Sequence, residues 1–348
     1  MISMTGLLAL ALASTVAVHS DIHPRWTEKK ATDWYSKQPW LVGCNFIPST
    51  AINQLEMWQA DTFDLPTIDR ELGFAEHTGM NTARVFLHSL AWKQDPKGFK
   101  HRVDQFLTTA EKHHIKPMLV LFDSCWNPEP KIGPQPKTRP GVHNCGWLQC
   151  PGPKAEKDSS EWPELKEYAQ DVVRSFKRDR RILLWDIYNE PRKEALPLLT
   201  EVYRWVQEVN PSQPISSGAF GGDAGITELQ LHASDVTTCH HYGVATDLAK
   251  YLEGLAKLNR PIICTEWMAR PIGSRVETNL PVFHDKHVGC IIWGLVYGKT
   301  QTIYPWGSEP GTPEPKLWFH DLYRPDGTPF NPDEIKLFQN LTERPKTQ

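Results

Sequence analysis

Two glutamates, Glu190 and Glu266, each stand at the end of a short apolar run in the 348-residue sequence. The runs, residues 182–188 and 261–265, predict buried strands, because a strand covered on both faces need not alternate apolar and polar residues. A carboxylate held where such a strand ends lies partly out of water, which raises its pKa and suits it to donate a proton near neutral pH. Two facing carboxylates could hydrolyse a glycosidic bond, one protonating the leaving oxygen while the other attacks or assists at the anomeric carbon.

The elements that would position these glutamates follow a regular order along the chain. Short apolar runs predict strands, and apolar residues at helical spacing predict the helices between them. The predicted strands are residues 41–46, 81–87, 118–122, 181–188, 214–219, 236–239, 261–265 and 288–293. The predicted helices are residues 66–77, 99–110, 165–176, 199–206 and 248–258, with a final helix that begins at Asn331.

Eight strands that alternate with helices, without a break in composition, favour a single (β/α)8 TIM barrel of the α/β class. A doubly wound open sheet is the alternative, but no glycine fingerprint for a dinucleotide follows the first strand. Residues 124–161, after the third strand, are rich in Pro and Gly and lack periodicity. They therefore predict a long loop at the rim of a functional site.

In such a barrel the C-terminal ends of the strands meet at one mouth, where the reacting groups lie. Glu190 follows the fourth strand and Glu266 the seventh, so their side chains would face each other across the mouth. Asp186 shares the strand parity of Glu190, and we interpret it as a satisfied buried polar group. The other polar and aromatic residues at the strand ends are Asn45, Arg84, His88, Asp123, Trp126, Asn189, His240, His241, Tyr242, Trp267 and Trp293.

Several of these strand ends resemble one known group of enzymes. The sequence WDIYNEP at residues 185–191 resembles the acid/base strand of the retaining (β/α)8 glycoside hydrolases, the clan that includes the family 5 cellulases and mannanases. CTEW at residues 264–267 resembles the nucleophile strand of that clan, and HHY at residues 240–242 its His-x-Tyr strand. Arg84 matches the second-strand arginine and Trp293 the eighth-strand tryptophan. The elements occur in the clan's order on the predicted strands, which makes the combined signal strong.

The resemblance implies a role for each matching residue. Glu190 would be the general acid and then the base, and Glu266 the nucleophile that forms a covalent glycosyl-enzyme with net retention of the β configuration. Arg84 and Tyr242 would hydrogen-bond Glu266, and Asn189 would hold the sugar 2-hydroxyl. The residues expected to bind substrate are Asn45, Arg84, His88, Trp126, Asn189, His240, Tyr242, Trp267 and Trp293. Trp147 and Trp58 are further candidates for the rim of the site, with plain packing as the alternative for each.

The composition limits the partners of the chain. A net charge of −3 gives no reason to expect nucleic acid or an acidic membrane as partner. There are 14 Trp against 9 Tyr, and exposed indole faces suit the apolar faces of sugar rings. We therefore expect a β-linked glycan or oligosaccharide as substrate, without a metal or cofactor. Whether cleavage is internal or terminal depends on whether the long loop after the third strand closes one end of the cleft.

Two other functions remain open at this point. One is a carbohydrate-binding barrel that has lost catalysis, although both carboxylates and their supporting residues are present together. The other is a metal-dependent barrel hydrolase. The pair His240 and His241 would need a third ligand for that role, and the sequence does not show one.

Residues 1–20 resemble a secretory signal peptide. Residues 7–18 are apolar over the length of a signal core and too short to span a bilayer. The first six residues lack Lys and Arg, so an uncleaved anchor is the alternative. We expect a secreted or periplasmic protein whose residues 21–348 form one catalytic domain.

The seven cysteines fall into two groups. Cys44, Cys239, Cys264 and Cys290 lie in predicted strands, where a thiol usually serves as a small buried apolar group. Cys125, Cys145 and Cys150 lie in the long loop. An oxidising compartment favours one disulfide among these three, of which Cys145 and Cys150 are closest in sequence.

Overall fold

The computed structural model describes residues 25–342, so the predicted signal peptide lies outside the described residues. The strands are β1 (Val42–Asn45), β2 (Thr82–Phe86), β3 (Lys116–Val120), β4 (Leu184–Asp186), β5 (Ile215–Ser216), β6 (Thr237–His240), β7 (Ile262–Trp267) and β8 (Gly289–Trp293). The helices are α1 (Glu28–Tyr35), α2 (Gln54–Trp58), α3 (Leu65–Thr78), α4 (Ser89–Gln94), α5 (Pro96–Lys112), α6 (Pro153–Lys157), α7 (Trp162–Phe176), α8 (Leu196–Val209), α9 (Ala224–Ala233), α10 (Ala245–Ala256), α11 (Val276–Asp285) and α12 (Pro332–Leu341).

The eight strands form one parallel sheet in the order β5-β4-β3-β2-β1-β8-β7-β6. The two end strands, β5 and β6, meet through Ala219, which bridges Cys239 in parallel. The amide of Ala219 donates to the Thr238 carbonyl and its carbonyl accepts from the His240 amide, each at 2.9 Å. The sheet is therefore a nearly closed barrel with helices alternating around it, and the predicted (β/α)8 fold is confirmed.

All eight predicted strands occur in the structure, although β4 and β5 are shorter than the predicted runs at residues 181–188 and 214–219. Their pairing continues just beyond the assigned ends, since the Ile187 amide donates to the Ser216 carbonyl at 2.8 Å. Every strand residue is buried except Lys116, at the start of β3. Burial on both faces explains why apolar runs, rather than alternating patterns, marked the strands.

The N-terminal end of the barrel is closed by helix α1. Its residues Ala31 and Tyr35 pack in one cluster with barrel-interior residues such as Met118 and Ile263. The Tyr35 hydroxyl also donates to the His287 carbonyl at 3.0 Å, which ties the helix to the strand end beside it. Only the C-terminal mouth is thus left for chemistry, as is general for this fold. Within residues 25–342, no helix has the length and apolar character needed to cross a membrane.

Three segments surround part of the mouth, and those after β3 and β8 are long. They are residues 46–53 after β1, residues 121–152 after β3 and residues 294–331 after β8. The predicted long loop after the third strand is therefore present, but its last part forms α6 and a short 3-10 turn at Ser159–Glu161. The segments after β5, β6 and β7, residues 217–223, 241–244 and 268–275, are much shorter than those after β3 and β8.

The cysteine predictions have mixed outcomes. Cys44, Cys239, Cys264 and Cys290 are buried in strands, as predicted. The expected disulfide in the long loop is wrong, because all seven cysteines, each within the described residues, are free thiols. Cys150 accepts a hydrogen bond from the Ser89 amide beneath the loop, whereas Cys145 accepts one from the Arg139 amide within it, each at 3.3 Å.

Candidate active site

Glu190 and Glu266 converge at the C-terminal mouth of the barrel from strands on opposite sides. A carboxylate oxygen of one lies within 4.8 Å of a carboxylate oxygen of the other. Glu266 lies within β7, whose pairing with β8 shifts register between Cys264 and Trp267. Glu190 follows β4 with a left-handed backbone, at a φ of 41°. This turn lets Asn189 and Glu190 both project into the mouth, although neighbours on a regular strand point to opposite faces.

The Arg84 guanidinium organises the floor of the site. Its Nη1 donates to Glu266 Oε1 at 2.7 Å and to Asn45 Oδ1 at 3.0 Å. Its Nη2 donates to Asn189 Oδ1 at 2.7 Å, and its Nε to Asp186 Oδ2 at 2.8 Å. All five side chains are buried, so the guanidinium is fixed between two carboxylates. Asp186 is thus a buried ion-pair partner of Arg84 through Oδ2, but its Oδ1 has no hydrogen-bond partner among the described residues, so the predicted satisfaction of this group is only partial.

The Glu266 carboxylate is held on both oxygens. Oε1 accepts from Arg84, and Oε2 accepts from the Tyr242 hydroxyl at 2.9 Å. Burial raises the pKa of the Glu266 carboxyl, and the charge of Glu190 raises it further, while Arg84 and the Tyr242 hydroxyl oppose the rise. The two donors therefore aim the carboxylate and favour its ionised form, which is the form a nucleophile needs.

The Glu190 carboxyl is in a different environment. Its side chain is 29% exposed, against 6% for Glu266, so it faces the opening of the site. Burial nevertheless raises its pKa, opposed by a hydrogen bond from Cys125 and by the charge of Arg84. A raised pKa in a partly open position suits a group that must first donate a proton and later accept one.

His240 lies between the two carboxylates. Its Nδ1 is 2.7 Å from Glu190 Oε1 and 3.6 Å from Glu266 Oε2. Burial lowers its pKa to about 4, so the ring is neutral at neutral pH. A neutral imidazole can donate from Nδ1 to an ionised Glu190 or accept from a protonated one. His240 can therefore form a hydrogen bond with Glu190 in both of its protonation states.

Aromatic rings line the mouth next to the carboxylates. Trp293 contacts Phe86 and Trp147 edge-on, with ring centroids 5.9 Å and 5.5 Å away. The Trp147 indole donates to Asp123 Oδ2 at 2.7 Å, and Asp123 Oδ1 accepts from Asn189 at 3.0 Å. Burial raises the pKa of Asp123 to about 6, opposed by these hydrogen bonds. Asp123 thus connects the long loop to Asn189.

The structure brings most of the predicted site residues together. Those at the mouth are Asn45, Arg84, Asn189, Glu190, His240, Tyr242, Glu266 and Trp293. Trp126 lies at the rim with 42% of its surface exposed and a left-handed φ of 68°. The Asn45 side-chain oxygen accepts a hydrogen bond from Arg84. The Asn45 side-chain amide donates to the Thr265 and Ile292 carbonyls at 2.8 and 3.0 Å.

Two predicted substrate-binding residues lie elsewhere, and these predictions are wrong. Trp267 is fully buried against Phe283 of α11, with ring centroids 5.1 Å apart, because it points to the opposite side of the strand from Glu266. His88 is fully buried, where its Nδ1 accepts from the Leu90 amide and caps α4. Trp58, the other rim candidate, is also buried in the core, where its indole donates to the Phe86 carbonyl at 2.7 Å.

One residue of the site was missed from the sequence. The Cys125 thiol donates to Glu190 Oε2 at 3.3 Å, and the Asn189 amide contacts the same sulfur at 3.5 Å. Its position between Asp123 and Trp126, at the end of β3, could have indicated this, but the sequence indicated Cys125 only as one of three candidates for a disulfide. A thiol in this position touches the candidate proton donor directly.

The same carboxylates and His240 are also the one group of described residues whose atoms could hold a metal ion together. His241, which the sequence paired with His240 for a metal role, is not part of this group. Both oxygens of Glu266 already accept hydrogen bonds from Arg84 and Tyr242, and Glu190 Oε2 accepts from Cys125. A guanidinium 2.7 Å from one of the ligand oxygens opposes a second cation there. The donor set fits proton transfer better than metal binding.

Comparison with known proteins identifies the type of barrel. The family model of the TIM barrel domain of glycosyl hydrolases family 2 matches residues 144–295. An endo-β-1,4-mannanase from Thermotoga petrophila aligns with 89% of this chain and 77% of its own, at 15% identity and a TM-score of 0.58. An exo-β-1,4-mannosidase from Opitutaceae bacterium strain TAV5 aligns with 87% of this chain and 60% of its own, at 17% identity and a TM-score of 0.61.

A third solved structure carries a bound sugar. It is a single-residue variant of GH5_18 from Streptomyces cattleya in complex with Manβ1-4GlcNAc, which aligns with 89% of this chain and 82% of its own, at 13% identity and a TM-score of 0.58. A search among curated proteins gave no match. At these identities the solved structures establish the fold. Together with the family model, they confirm the predicted resemblance to the (β/α)8 glycoside hydrolases and the predicted enzyme class.

Proposed function

We propose that this protein is a retaining β-glycosidase that hydrolyses O-glycosidic bonds of β-linked glycans or oligosaccharides by double displacement. The observation that carries the proposal is the separation of the two carboxylates, with oxygens within 4.8 Å of each other. Retention needs carboxyl groups about 5–5.5 Å apart, whereas inversion needs roughly 6.5–9.5 Å to admit a water between them. The space between Glu190 and Glu266 suits direct attack on the sugar.

The first step would form the glycosyl-enzyme. A Glu266 oxygen attacks the anomeric carbon from the side opposite the leaving group, and the bond to the leaving oxygen breaks. Protonated Glu190 gives its proton to that oxygen, so the departing sugar leaves as a neutral alcohol. Arg84 and Tyr242 keep Glu266 ionised and aimed before the attack.

The second step would release the sugar. Glu190, now ionised, takes a proton from water, whose oxygen attacks the anomeric carbon and frees Glu266. One water is consumed per bond cleaved, and both carboxyl groups return to their starting state. His240 can hydrogen-bond Glu190 in both steps without gaining charge, because its Nδ1 lies 2.7 Å from Glu190 Oε1 and its pKa of about 4 keeps it neutral.

The comparisons suggest which sugar to test first. The aligned proteins include an endo-β-1,4-mannanase, an exo-β-1,4-mannosidase and a protein bound to Manβ1-4GlcNAc. We therefore take β-mannosides as the first candidate substrates. The remaining binding roles follow the sequence resemblance, with Asn189 near the sugar 2-hydroxyl and Trp293 beside the reacting sugar ring.

A catalytically inactive sugar-binding barrel is the second candidate function, and one experiment separates it from a glycosidase. The full-length protein is assayed on aryl β-glycosides (mannoside, glucoside, xyloside, galactoside) and on soluble mannan, β-glucan and xylan. We expect turnover of at least one substrate, unchanged after treatment with EDTA. Binding of sugars without any turnover would favour the binding protein. Loss of activity on chelation, with recovery on adding a divalent metal, would favour a metal-dependent hydrolase instead.

We also propose that the chain is exported, on the composition of residues 1–20. Expression with these residues in a bacterial host should yield a periplasmic or extracellular protein. Its mature N-terminus, read by Edman degradation, should begin close to residue 21. A cytoplasmic protein with an intact start would contradict the proposal.

A further inference from the structure

Two of the long segments beside the mouth are locked together. Gln301 joins them with its side-chain amide, which donates to the Arg139 carbonyl at 2.7 Å and accepts from the Gly141 amide at 2.9 Å. The Asn144 amide donates to the Thr300 carbonyl, and the Gly311 amide to the Pro140 carbonyl, each at 2.8 Å. The segments after β3 and β8 therefore behave as one structure.

The segment after β1, with helix α2, joins the same structure. The Gln54 side chain pairs with the Leu148 backbone, donating to its carbonyl at 2.9 Å and accepting from its amide at 3.3 Å. The Lys299 amide donates to the Ser49 carbonyl at 3.0 Å, and its ammonium pairs with Glu56. We call residues 46–59, 121–152 and 294–331 the loop wall. It stands over four adjacent strands, β3, β2, β1 and β8.

One small cavity lies between the loop wall and the barrel. It is lined by residues that include Asn45, Trp147, Trp293, Thr302 and Asp321, and its volume is about 10 Å³. That volume holds at most one water molecule. This cavity therefore has no room for a sugar unit of a glycan that extends toward β1 and β8.

A row of aromatic rings marks the inner edge of the loop wall. It runs from Trp126 through His143 and His320 to Tyr242, with neighbouring centroids 5.4, 5.4 and 5.8 Å apart. Trp306, which is 45% exposed, contacts Tyr242 edge-on with ring centroids 5.0 Å apart. The row thus links the end of β3 to the end of β6 across the mouth. The remaining opening lies over β4 and β5, whose following segments, residues 187–195 and 217–223, are much shorter than those after β3 and β8.

The difference in exposure between the two carboxylates indicates how the bound substrate is oriented. The leaving group must contact the proton donor, and Glu190, on the open side at the end of β4, is the more exposed of the pair. The anomeric carbon must contact Glu266, which is 6% exposed and accepts a hydrogen bond from Tyr242 of the row of rings at 2.9 Å. The leaving sugar therefore faces solvent, and the sugar on the other side of the bond faces the wall.

From this arrangement we infer that the protein is an exo-acting enzyme that removes a terminal unit from the non-reducing end of its substrate. The inference rests on the proposed glycosidase function. The fold alone does not decide it, because the aligned structures include an endo-mannanase and an exo-mannosidase. The interlocked loop wall is the feature of this chain that decides it, since an internal cleavage needs glycan on both sides of the carboxylates.

The test uses β-1,4-mannohexaose and β-1,4-cellohexaose whose reducing ends have been converted to alditols. Initial products are separated by chromatography and identified by mass. Exo action predicts a free monosaccharide together with the alditol-ended pentamer. Early alditol-ended dimers and trimers, with free tetramers and trimers, would overturn the inference while supporting a glycosidase. Lack of cleavage of these oligomers and of every aryl glycoside would overturn the proposed function itself.

A variant probes the loop wall directly. Gln301 has a left-handed φ of 55°, so Gln301→Gly keeps the backbone conformation while removing both side-chain hydrogen bonds to the neighbouring segment. We expect internal cleavage of the hexamers to rise at least several-fold relative to terminal cleavage. Gln339→Ala on α12, far from the mouth, should leave the product pattern unchanged. A wild-type pattern in a folded Gln301→Gly protein would show that the wall does not set the cleavage mode. If that variant fails to fold, the product pattern of the wild-type chain decides alone.

Discussion

The Cys125 thiol lies 3.3 Å from Glu190 Oε2, so the candidate proton donor has a cysteine as its direct neighbour. The opposite oxygen of Glu190 contacts His240 at 2.7 Å. Both contacts come from other strand ends, β3 and β6, and together they fix the carboxyl in the opening. The thiol hydrogen bond favours the ionised form of Glu190, against the burial that favours its neutral form.

Removing this thiol should change the pH dependence of the reaction. In free enzyme, kcat/KM requires protonated Glu190 and falls as pH rises through its pKa. Cys125→Ala removes a group that lowers this pKa, so the alkaline limb of the kcat/KM profile should move to higher pH. The profile is measured on an activated aryl glycoside and on an oligosaccharide.

Cys125→Ser is the matched control for that experiment. A hydroxyl is at least as good a donor as a thiol, so the alkaline limb should stay at the wild-type position or move to lower pH. An alkaline limb that moves to lower pH in Cys125→Ala would contradict the assigned role of the thiol. Equal shifts in both variants would indicate a change in packing.

Truncating Glu190 should separate substrates by their leaving groups. Only a poor leaving group, such as a sugar hydroxyl, needs a proton as the bond breaks. Glu190→Ala should therefore lower kcat/KM about 10²–10⁴-fold on oligosaccharides and far less on dinitrophenyl glycosides. Glu253→Ala, an exposed glutamate on α10, controls for unspecific effects. Equal losses on both substrate types would count against the acid role.

Truncating Glu266 should abolish covalent catalysis. Glu266→Ala should lower kcat by at least about 10⁴-fold, in the range found when other covalent nucleophiles are removed. Azide fits into the space left by the side chain and should restore turnover of an activated glycoside, giving a glycosyl azide of inverted configuration. Near wild-type rates in this variant would rule out Glu266 as the nucleophile.

The buried charges predict a large effect on stability. Arg84→Ala would leave the buried side chains of Asp186 and Glu266 without their cation. Breaking a buried ion pair by removing one partner typically costs about 3–5 kcal/mol, and we expect a loss of that order in the free energy of unfolding measured in urea. Lys29→Ala, which removes an exposed pair with Asp33 on α1, should change stability little. Similar stabilities of both variants would contradict the central position of Arg84.

Much of the fold was predictable because the barrel strands are short and buried on both faces. Residues 118–122 and 288–293, for example, are runs of apolar residues that leave little doubt about their burial. The carboxylates were predictable for the same reason, since a charged residue at the end of such a run stands out. Trp267 was wrongly placed because side-chain alternation along β7, rather than its neighbour Glu266, decides which way it points.

The contacts of the long loop could not be predicted from the sequence. Its cysteines indicated a disulfide, but the chain folds so that Cys125 faces Glu190 and Cys150 faces Ser89. Likewise, Gln301 gives no sign in sequence that it joins residues more than 150 positions away. Such contacts depend on how three mostly irregular segments pack against one another, and this packing cannot be read from the periodicity or spacing of the sequence.

The configuration of the first-formed product tests the central claim most directly. Hydrolysis of an aryl β-glycoside that the enzyme accepts is followed by proton NMR from the earliest times, before the free sugar mutarotates. Two carboxylates with oxygens within 4.8 Å of each other predict that the β-anomer appears first and the α-anomer later, by mutarotation. An α-anomer that appears first would show a single displacement by water, and would contradict the assignment of Glu266 as a nucleophile.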